Sequence, residues 1–317
     1  MSRAGDPFVH QPVMVAEIVE LMGPVPPGVV LDATVGGGGH AAAILEAHPH
    51  LRVLGLDQDP SAQEAAQARL APFGSRSAVV RARFDRLAAV VADAGIDGLS
   101  GVLFDLGVSS PQLDRADRGF SYRTDAPLDM RMDPDSPRSA ADVINTATES
   151  DLAAAFADNG EGRFARRIAR AVVAARPLAT TGQLAEVVRD AIPAAARRHG
   201  GHPAKRIFQA VRITVNRELE ILPAALGDAL DLLVPGGRAA VLAYHSGEDR
   251  IVKAILRAAE TGGCTCPPGL PCGCGALRQV RLLRRGARQA SAGEVAANRR
   301  AESARLRAVE RLGAVGP

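Results

Sequence analysis

Aromatic side chains are scarce in this 317-residue chain: tryptophan is absent, and aromatic residues make up 3% of the sequence. Hydrophobic residues nevertheless account for 47%, which is enough for one large domain or for a domain that carries an insertion. The core must therefore be built mainly from Ala, Val, Leu and Ile. Lysine occurs only at Lys205 and Lys253, so the formal net charge of +3 depends on arginine.

Segments that would direct the chain to a membrane are also lacking. No uninterrupted apolar run reaches the ~18 residues that a spanning helix needs. The start of the chain, "MSRAGDPFVHQPVMVAEIV", lacks the charged-then-apolar order of a signal peptide and contains an Asp and a Glu. We therefore expect a cytosolic protein with no membrane partner, in which thiols stay reduced.

Two common catalytic motifs are missing. The sequence contains no G-x-x-x-x-G-K-[ST], which excludes a P-loop nucleotide site, and no G-x-S-x-G, which excludes the nucleophile elbow of the α/β-hydrolases. The enzyme classes that depend on these motifs are therefore excluded, and the chemistry has to be sought elsewhere in the chain.

The first 110 residues alternate between predicted strands and helices. Buried strands are predicted over 29–35, 52–59, 78–84 and 99–110. Helices are predicted over 13–22, 40–48, 61–74 and 85–95. Strands and helices that alternate at this spacing favour a parallel sheet covered on both faces.

This alternation stops after residue 110 and returns near residue 222. Residues 111–145 show no periodicity, and the stretch that follows reads as helices only, over 149–160, 163–176, 180–192 and 203–222. A helix, a "PGG" turn and a strand then resume the α/β pattern. We predict an α/β fold with a doubly wound, Rossmann-like sheet (residues 1–112 and 221–317) interrupted by an all-helical domain (113–220).

Four glycines follow the first predicted strand in "DATVGGGGH", residues 32–40. A strand, a glycine turn and a helix bring a ligand against the N-terminus of that helix. Gly36, Gly38 and Ala41 also fit the dinucleotide pattern G-x-G-x-x-[G/A], although a tight structural turn explains the same residues. The loop alone thus leaves a nucleotide site and a plain turn open.

Two acids at predicted strand ends favour a nucleoside ligand. Asp57 ends the second strand and Asp105 the fourth, and the carboxyl ends of adjacent parallel strands open on one crevice. Asp57 suits the ribose hydroxyls of either NAD or S-adenosylmethionine. Asp105, followed by Ser109, Ser110 and Pro111, suits an amino group better than a nicotinamide. We therefore expect S-adenosylmethionine, with its ribose at Asp57 and its carboxylate at the start of the helix.

Longer motifs carry a specific resemblance. They are "HQPVMVAEIVE", "DATVGGGGH", "FDLGVSSPQLDRADRGFSYRTDAPLDMRMDP", "GEGRFARRIARAVV", "HPAKRIFQAVRITVNRELE" and "YHSGEDRIVK". In this order they closely resemble the ribosomal RNA small subunit methyltransferase H family, over nearly the whole chain. The resemblance implies methyl transfer from S-adenosylmethionine to the exocyclic N4 of a decoding-centre cytosine in 16S rRNA. It also implies a helical insertion that helps to hold RNA.

Residue by residue, the resemblance implies a cofactor site, next to which we expect a catalytic loop. The implied cofactor contacts are Gly38, Gly39, His40, Asp57, Phe84, Asp105 and Gln112. As catalytic residues we expect Asp105, Ser109 and Pro111, with Asp105 and backbone carbonyls of the "LGVSSP" loop holding the target amine. Asp105 is equally suited to holding the amino group of the cofactor. The family more often has Leu where this chain has Gly247.

Several further residues are candidates for RNA contact. Phe120 and Tyr122 either stack on the target base or pack as loop residues, and Tyr244, His245 and Ser246 either line the crevice or end a strand. Arginines form a helix face (Arg163, Arg166, Arg167 and Arg170) and a predicted exposed basic tail (Arg278, Arg281, Arg284, Arg285, Arg288, Arg299, Arg300 and Arg307). Both are suited to neutralising phosphates.

All four cysteines lie in "CTCPPGLPCGC": Cys264, Cys266, Cys272 and Cys274. In a reducing compartment, such clustering argues for a structural zinc site rather than a disulfide. The C-x-C spacing is tighter than that of a common zinc knuckle, so a loop of free thiols is the alternative.

The sequence thus leaves three functions to compare. The first is an rRNA cytosine-N4 methyltransferase that uses S-adenosylmethionine and acts on 16S rRNA of the small ribosomal subunit. The second is an NAD(P)-dependent oxidoreductase, and the third is a non-catalytic RNA-binding assembly factor. A homodimer is one oligomeric state that the sequence leaves open.

Overall fold

The computed structural model describes residues 12–108, 112, 115–159, 161–197, 202, 204–267 and 273–313. The chain divides into two compact units. The first comprises Met1–Gly107 and Leu219–Pro317, and the second comprises Val108–Glu218.

The strands all belong to the first unit. They are β1 (Gly28–Asp32), β2 (Leu51–Asp57), β3 (Ser77–Arg81), β4 (Leu99–Asp105), β5 (Leu233–Ala243), β6 (Val280–Leu282) and β7 (Arg305–Arg311). They form one seven-stranded sheet of order β3-β2-β1-β4-β5-β7-β6. The first five strands pair in parallel, whereas β7 is antiparallel to both β5 and β6. Strand order reverses direction between β1 and β4, which makes their carboxyl ends the switch point of a doubly wound sheet.

The α-helices are α1 (Val15–Met22), α2 (Gly39–Ala47), α3 (Pro60–Leu70), α4 (Leu87–Asp93), α5 (Ala140–Thr146), α6 (Glu149–Asp158), α7 (Ala165–Ala174), α8 (Thr181–Ala191), α9 (Ala194–Arg197), α10 (Ala204–Asn216), α11 (Glu218–Leu232), α12 (Ser246–Thr261) and α13 (Ala292–Ala297). Short 3-10 helices cover Ala71–Arg76, Phe84–Arg86, Ala116–Arg118 and Arg299–Ser303. None of the described helices has the length and apolar character that a bilayer crossing requires.

Helices cover both faces of the sheet, so successive residues of the central strands, whose side chains point to opposite faces, are buried on either side. Val30 and Leu103 pack with residues of α1, α2 and α3 on one face. Leu31 and Phe104 pack with residues of α4, α11 and α12 on the other. This arrangement confirms the predicted α/β class and explains why the strands read as continuous apolar runs rather than as alternating ones.

The second unit, in its described residues, is helical around its own core. Leu152, Ile168 and Leu184, from three successive helices, are fully or almost fully buried in that core. The segment before α5 is tied to α10 by the buried Asn216, which accepts from the Met132 N–H at 2.8 Å and donates to the Met130 carbonyl at 2.9 Å. Residues without periodicity are therefore ordered by side-chain hydrogen bonds rather than by secondary structure.

The single helix predicted over 203–222 is wrong. The structure has two helices, α10 and α11, separated at Arg217, whose φ of 56° is left-handed. The apolar spacing continues through this position, so only the backbone turn separates the two helices. Arg212 and Glu218 form an ion pair at 2.9 Å next to the break.

The prediction of an exposed basic tail after Leu277 is also wrong. This segment contains β6, α13 and β7, and β7 is inserted between β5 and β6. Leu306 and Val309 are buried on opposite faces of the sheet. The frequent arginines make this segment read as a basic tail in the sequence. In the structure several of them are paired with acids instead.

Candidate active site

Three carboxylates mark the carboxyl ends of neighbouring strands. Asp32 ends β1, Asp57 ends β2 and Asp105 ends β4. The order β2-β1-β4 places these strands side by side across the switch point. We call these three residues the acidic edge. Ligands of doubly wound sheets bind at this position, so the acidic edge defines the candidate site.

The turn after β1 is hydrogen-bonded to all three members of the acidic edge. The N–H of Gly36 donates to Asp57 Oδ2 at 3.0 Å, and the N–H of Thr34 donates to Asp32 Oδ1 at 3.3 Å. The Thr34 hydroxyl accepts from the N–H of Asp105 at 2.7 Å. The structure therefore brings together the glycine turn and both acids that the sequence singled out.

The glycines of the turn serve different purposes. A Cβ at Gly38, where φ is 76°, would lie 3.2 Å from the Cα of Ala66 in α3, and a Cβ at Gly39 would collide with the Pro12 ring. Packing within the protein thus explains these two glycines. At Gly36, where φ is 52°, the nearest atom to a Cβ would be the Thr34 carbonyl oxygen at 3.9 Å, so this position borders open space.

Helix α2 begins immediately after this turn. Its first turn contains no acidic side chain, and the backbone of Gly38 precedes it in the left-handed region. The first N–H groups of a helix have no partner within the helix and carry partial positive charge. The start of α2 is therefore suited to an anionic group of a ligand.

Asp57 keeps acceptor capacity after its contacts with the protein are counted. Oδ2 accepts from Gly36 and Oδ1 accepts from the N–H of Asp59 at 2.9 Å. The backbone of Gln58 contributes a further hydrogen bond to this carboxylate, which offers about four acceptor sites when ionised. Burial raises the pKa of Asp57 from 3.8 to about 6, against the lowering effect of the backbone hydrogen bonds from Asp59 and Gly36.

Asp105 is hydrogen-bonded to one side chain and lies next to a second. The Tyr244 hydroxyl donates to Asp105 Oδ1 at 2.6 Å, and His40 Nδ1 lies 3.6 Å from Oδ2. His40 is buried, and its Nε2 carries the proton because it lies 2.9 Å from the Val13 carbonyl, which can only accept. Burial and the charge of Asp105 raise the pKa of Tyr244 well above its usual value, so the phenol stays a hydrogen-bond donor.

The turn after β5 fixes the position of Tyr244. Glu248 Oε2 accepts from the N–H groups of Tyr244 at 2.7 Å and of His245 at 3.2 Å. His245 Nδ1 in turn accepts from the N–H groups at the start of α12, at 3.2 and 3.4 Å. This is a capping box, so His245 has a structural role here, whereas Ser246 is exposed.

Gly247, the departure from the resembled family, is explained by this turn. A Cβ there would lie 3.1 Å from the His245 ring and 3.1 Å from Leu219 Cδ1. These distances are tighter than ordinary contact. The glycine therefore lets His245 and Leu219 approach each other across α12.

Asp32 is a residue of the site that our sequence analysis missed. It is 1% exposed, and burial raises its pKa from 3.8 to about 7. The charges of Asp105 and Asp57 contribute to this raised pKa, whereas His40 opposes it. An acid within a predicted buried strand, a few residues before a glycine turn, is the feature by which it could have been found.

The remaining predicted cofactor residues lie in varied surroundings. Phe84 is half-buried, directly follows the β3 region and meets Phe104 edge to face with ring centroids 5.9 Å apart. Gln112 is buried. Ser109, Ser110 and Pro111 lie outside the described residues, so their proposed part in holding the amine stays a prediction.

The two aromatic candidates for base stacking behave differently. Phe120 is buried in the core of the second unit, which agrees with the loop-packing alternative. Tyr122 is half-buried and stacks on the ring of His202 with centroids 4.5 Å apart and an interplanar angle of 16°. One face of the Tyr122 ring is thus already occupied.

The candidate RNA-binding arginines are exposed on α7 but partly paired near the C-terminus. Arg166, Arg167 and Arg170 lie on α7, which begins at Ala165, so Arg163 precedes the helix. In the C-terminal segment three arginines have acidic partners: Arg307 binds Asp249 at 2.8 and 3.0 Å, Arg281 binds Glu310 at 2.8 Å and Arg288 lies 3.3 Å from Glu17. Arg278, Arg284, Arg285, Arg299 and Arg300 are exposed.

The cysteines form a separate group. The sulfur atoms of Cys264, Cys266 and Cys274 lie within 4.8 Å of one another. Cys272 lies outside the described residues.

Comparison with known proteins identifies relatives over almost the full length. The sequence model of the MraW methylase family matches residues 7–312. The chain is 51% identical over 311 residues to the ribosomal RNA small subunit methyltransferase H of Heliobacterium modesticaldum, covering 96% of this chain and 99% of that protein. It is 53% identical over 309 residues to the protein of the same name from Thermobifida fusca, covering 95% and 93%.

Proposed function

Because this chain belongs to the MraW methylase family, we propose that it transfers a methyl group from S-adenosylmethionine to the exocyclic N4 of a decoding-centre cytosine in 16S rRNA of the small ribosomal subunit. The relatives named above are methyltransferases of small-subunit rRNA. The observation that carries the proposal is the acidic edge, at which three strand-end carboxylates surround a glycine turn at the switch point.

The residues present are suited to S-adenosylmethionine. Asp57 ends β2 beside the glycine turn and accepts from the N–H of Gly36 in that turn, and we assign the ribose hydroxyls to this carboxylate. The start of α2 offers N–H groups to the carboxylate of the methionine part, and Gly36 leaves open space beside it. When bound, the sulfonium supplies an electrophilic methyl group and its own leaving group.

The chain has to align the cytosine amine and accept its proton, because the lone pair of this amine is delocalised into the ring. We assign alignment to Asp105, whose carboxylate is oriented by Tyr244 and lies near His40. With Oδ1 engaged by Tyr244, Oδ2 is the oxygen that would receive an N–H of the amine. Asp105 is a catalytic residue in this assignment, and Tyr244 is a positioning residue.

The helical unit is assigned to RNA recognition. We propose this role for residues 113–220, in which Arg166 and Arg167 are exposed on α7 and Arg163 packs over the Phe164 ring at 5.0 Å. Exposed arginines of this kind neutralise phosphates. The substrate is then the small subunit itself, and the reaction takes place in the cytoplasm.

The two alternatives predict different results. An NAD(P)-dependent oxidoreductase would bind a nicotinamide cofactor and would make no use of rRNA. A non-catalytic assembly factor would bind the small subunit without turnover. The methylase family to which the chain belongs favours neither.

The test combines labelled S-adenosylmethionine, small subunits from a strain without this modification, and nucleoside analysis by mass spectrometry. We expect label in N4-methylcytidine. Label in another nucleoside would contradict the assigned atom, and binding without label would support the assembly factor. In calorimetry, Asp57→Asn should weaken cofactor binding at least tenfold by removing a charged acceptor, whereas Glu64→Gln, a change at an exposed acid on α3, should not.

A further inference from the structure

The loop between α12 and β6 contains thiols but, in its described residues, no core. We call residues 263–279 the cysteine loop; 268–272 lie outside the described residues. None of its described residues is buried, and Leu277 is 77% exposed. A loop of this length without buried apolar side chains has little to offset the entropy lost on ordering.

The two ends of the cysteine loop are nevertheless held together at its base. The N–H of Gln279 donates to the carbonyl of Ala259 in α12 at 3.0 Å. The backbone of Leu277 passes so close to Gly262 that a Cβ on the glycine would collide with it. This base brings the segment that contains Cys264 back to the segment that contains Cys274.

Three thiols converge just beyond this base. Cys264, Cys266 and Cys274 place their sulfur atoms within 4.8 Å of one another, and the sulfurs of Cys274 and Cys264 are 3.5 Å apart. A disulfide bond is about 2.05 Å long, so these two are not bonded to each other. Thiolates around a tetrahedral zinc ion lie roughly 3.8 Å apart, because each Zn–S bond is about 2.3 Å.

We propose that Cys264, Cys266 and Cys274 bind a structural Zn²⁺ ion that takes the place of a core in the cysteine loop. Each thiol loses its proton to the solvent on coordination, so three thiolates neutralise the ion and leave one negative charge. One tetrahedral position remains for a fourth ligand. Soft thiolate ligands select zinc over the hard cations magnesium and calcium. This proposal does not depend on the proposed methyl transfer.

The first test is the metal content of the full chain, purified with reductant and without chelator. Inductively coupled plasma mass spectrometry should find about one zinc per chain. Replacement by cobalt should produce a thiolate-to-cobalt charge-transfer band in the near ultraviolet and the visible bands of a tetrahedral ion.

Variants locate the ion. Cys264→Ser should weaken zinc binding by more than about 100-fold, since even residues that only orient a metal ligand contribute 10–100-fold. Thr265→Ala is the matched control, because Thr265 is exposed, lies between two of the ligands and has no thiol; it should bind zinc as the wild type does. Alkylation gives a second readout, in which zinc should protect the three thiols and a strong chelator should expose them.

Three outcomes would overturn the proposal. They are a reduced protein that neither contains nor takes up zinc or cobalt, iron with inorganic sulfide in place of zinc, and a disulfide between Cys264 and Cys274 in protein kept anaerobic throughout. Equal zinc affinity of Cys264→Ser and Thr265→Ala would also exclude the assigned ligands.

Discussion

The acidic edge and the cysteine loop hold their reactive groups in opposite ways. At the acidic edge, parallel strands fix the backbone, and each carboxylate has hydrogen bonds from backbone or side-chain donors of the same unit. In the cysteine loop none of the described residues is buried, and the thiols mainly face one another. The first region is organised by the fold before any ligand binds, whereas the zinc ion that we propose would order the second. Variants in one region should therefore leave the other unchanged.

The largest effect is expected for Asp105→Asn. Loss of the carboxylate removes the group to which we assign alignment of the amine, and general-base or alignment groups of this kind contribute about 10²–10⁴-fold. We expect a fall in kcat of that order, with zinc content unchanged. Measuring methyl transfer and zinc content on the same preparation checks both expectations. Undiminished turnover would remove Asp105 from catalysis, and loss of cofactor binding instead would assign it to the cofactor.

The next effect concerns the pH dependence of stability. The folded-state pKa of Asp32 is raised from 3.8 to about 7, so its contribution to stability is fully present below about 3.8 and is lost as pH rises through about 7. Asp32→Asn cannot ionise and keeps an oxygen for the Thr34 N–H. The free energy of unfolding of the variant should exceed that of the wild type above pH 7, by an amount on the order of a few kcal/mol.

Urea denaturation from pH 5 to pH 8 measures this difference. A smaller slope of the same sign should persist in the variant, because the pKa of Asp57 is raised to about 6. A variant that is less stable than the wild type at pH 8 would show that the Asp32 charge is needed for folding. The zinc content should be the same in Asp105→Asn, Asp32→Asn and the wild type.

A pair of glycine variants tests why the turn needs glycine. Gly38→Ala should destabilise the protein by about 2 kcal/mol, because left-handed strain adds to a close contact with the Ala66 backbone. Gly36→Ala should cost about 1 kcal/mol, since strain acts there without a close neighbour. Equal losses in chemical denaturation would mean that packing against α3 is not the difference between them.

A similarly small effect, this time on turnover, is expected for Tyr244→Phe. The variant keeps the ring but loses the hydroxyl that orients Asp105 Oδ1. We expect about a tenfold fall in kcat, equivalent to the ~1.4 kcal/mol of one hydrogen bond to a charged group, with little change in KM. A purely structural role would instead lower the unfolding temperature and leave kcat intact, so thermal denaturation of the same variant is the control.

Local patterns predicted much of the first unit. The apolar runs before Asp57 and Asp105 become β2 and β4, and the glycines between β1 and α2 form the predicted turn. These features depend on a few consecutive residues, which is the range over which periodicity and turn preferences act. The roles of the predicted site residues stay predictions, and those of Ser109, Ser110 and Pro111 fall outside the described residues.

Other features could not be predicted from local patterns. The helix break at Arg217 depends on a left-handed backbone inside an apolar pattern that continues unchanged. The arginines of β7 make it read as part of a basic tail, because the pairing of Arg307 with Asp249, and of Glu310 in β7 with Arg281 in β6, exists only after the sheet has formed. Asp32 reads as part of a buried strand, and its raised pKa arises mainly from burial in the folded sheet, with smaller contributions from the charges of Asp105 and Asp57 on two other strands.

By itself, the sequence determined the strand–glycine–helix unit, the two acids at strand ends and the clustering of cysteines. Each of these features depends only on residues that are close together in the chain. Only the tertiary structure decided that Tyr244 reaches Asp105, which is 139 positions away in the chain, and that the sulfurs of Cys264 and Cys274 meet. The physical reason is that strand order and the closed base of the cysteine loop set these distances, and both arise from packing of segments that are remote in the chain.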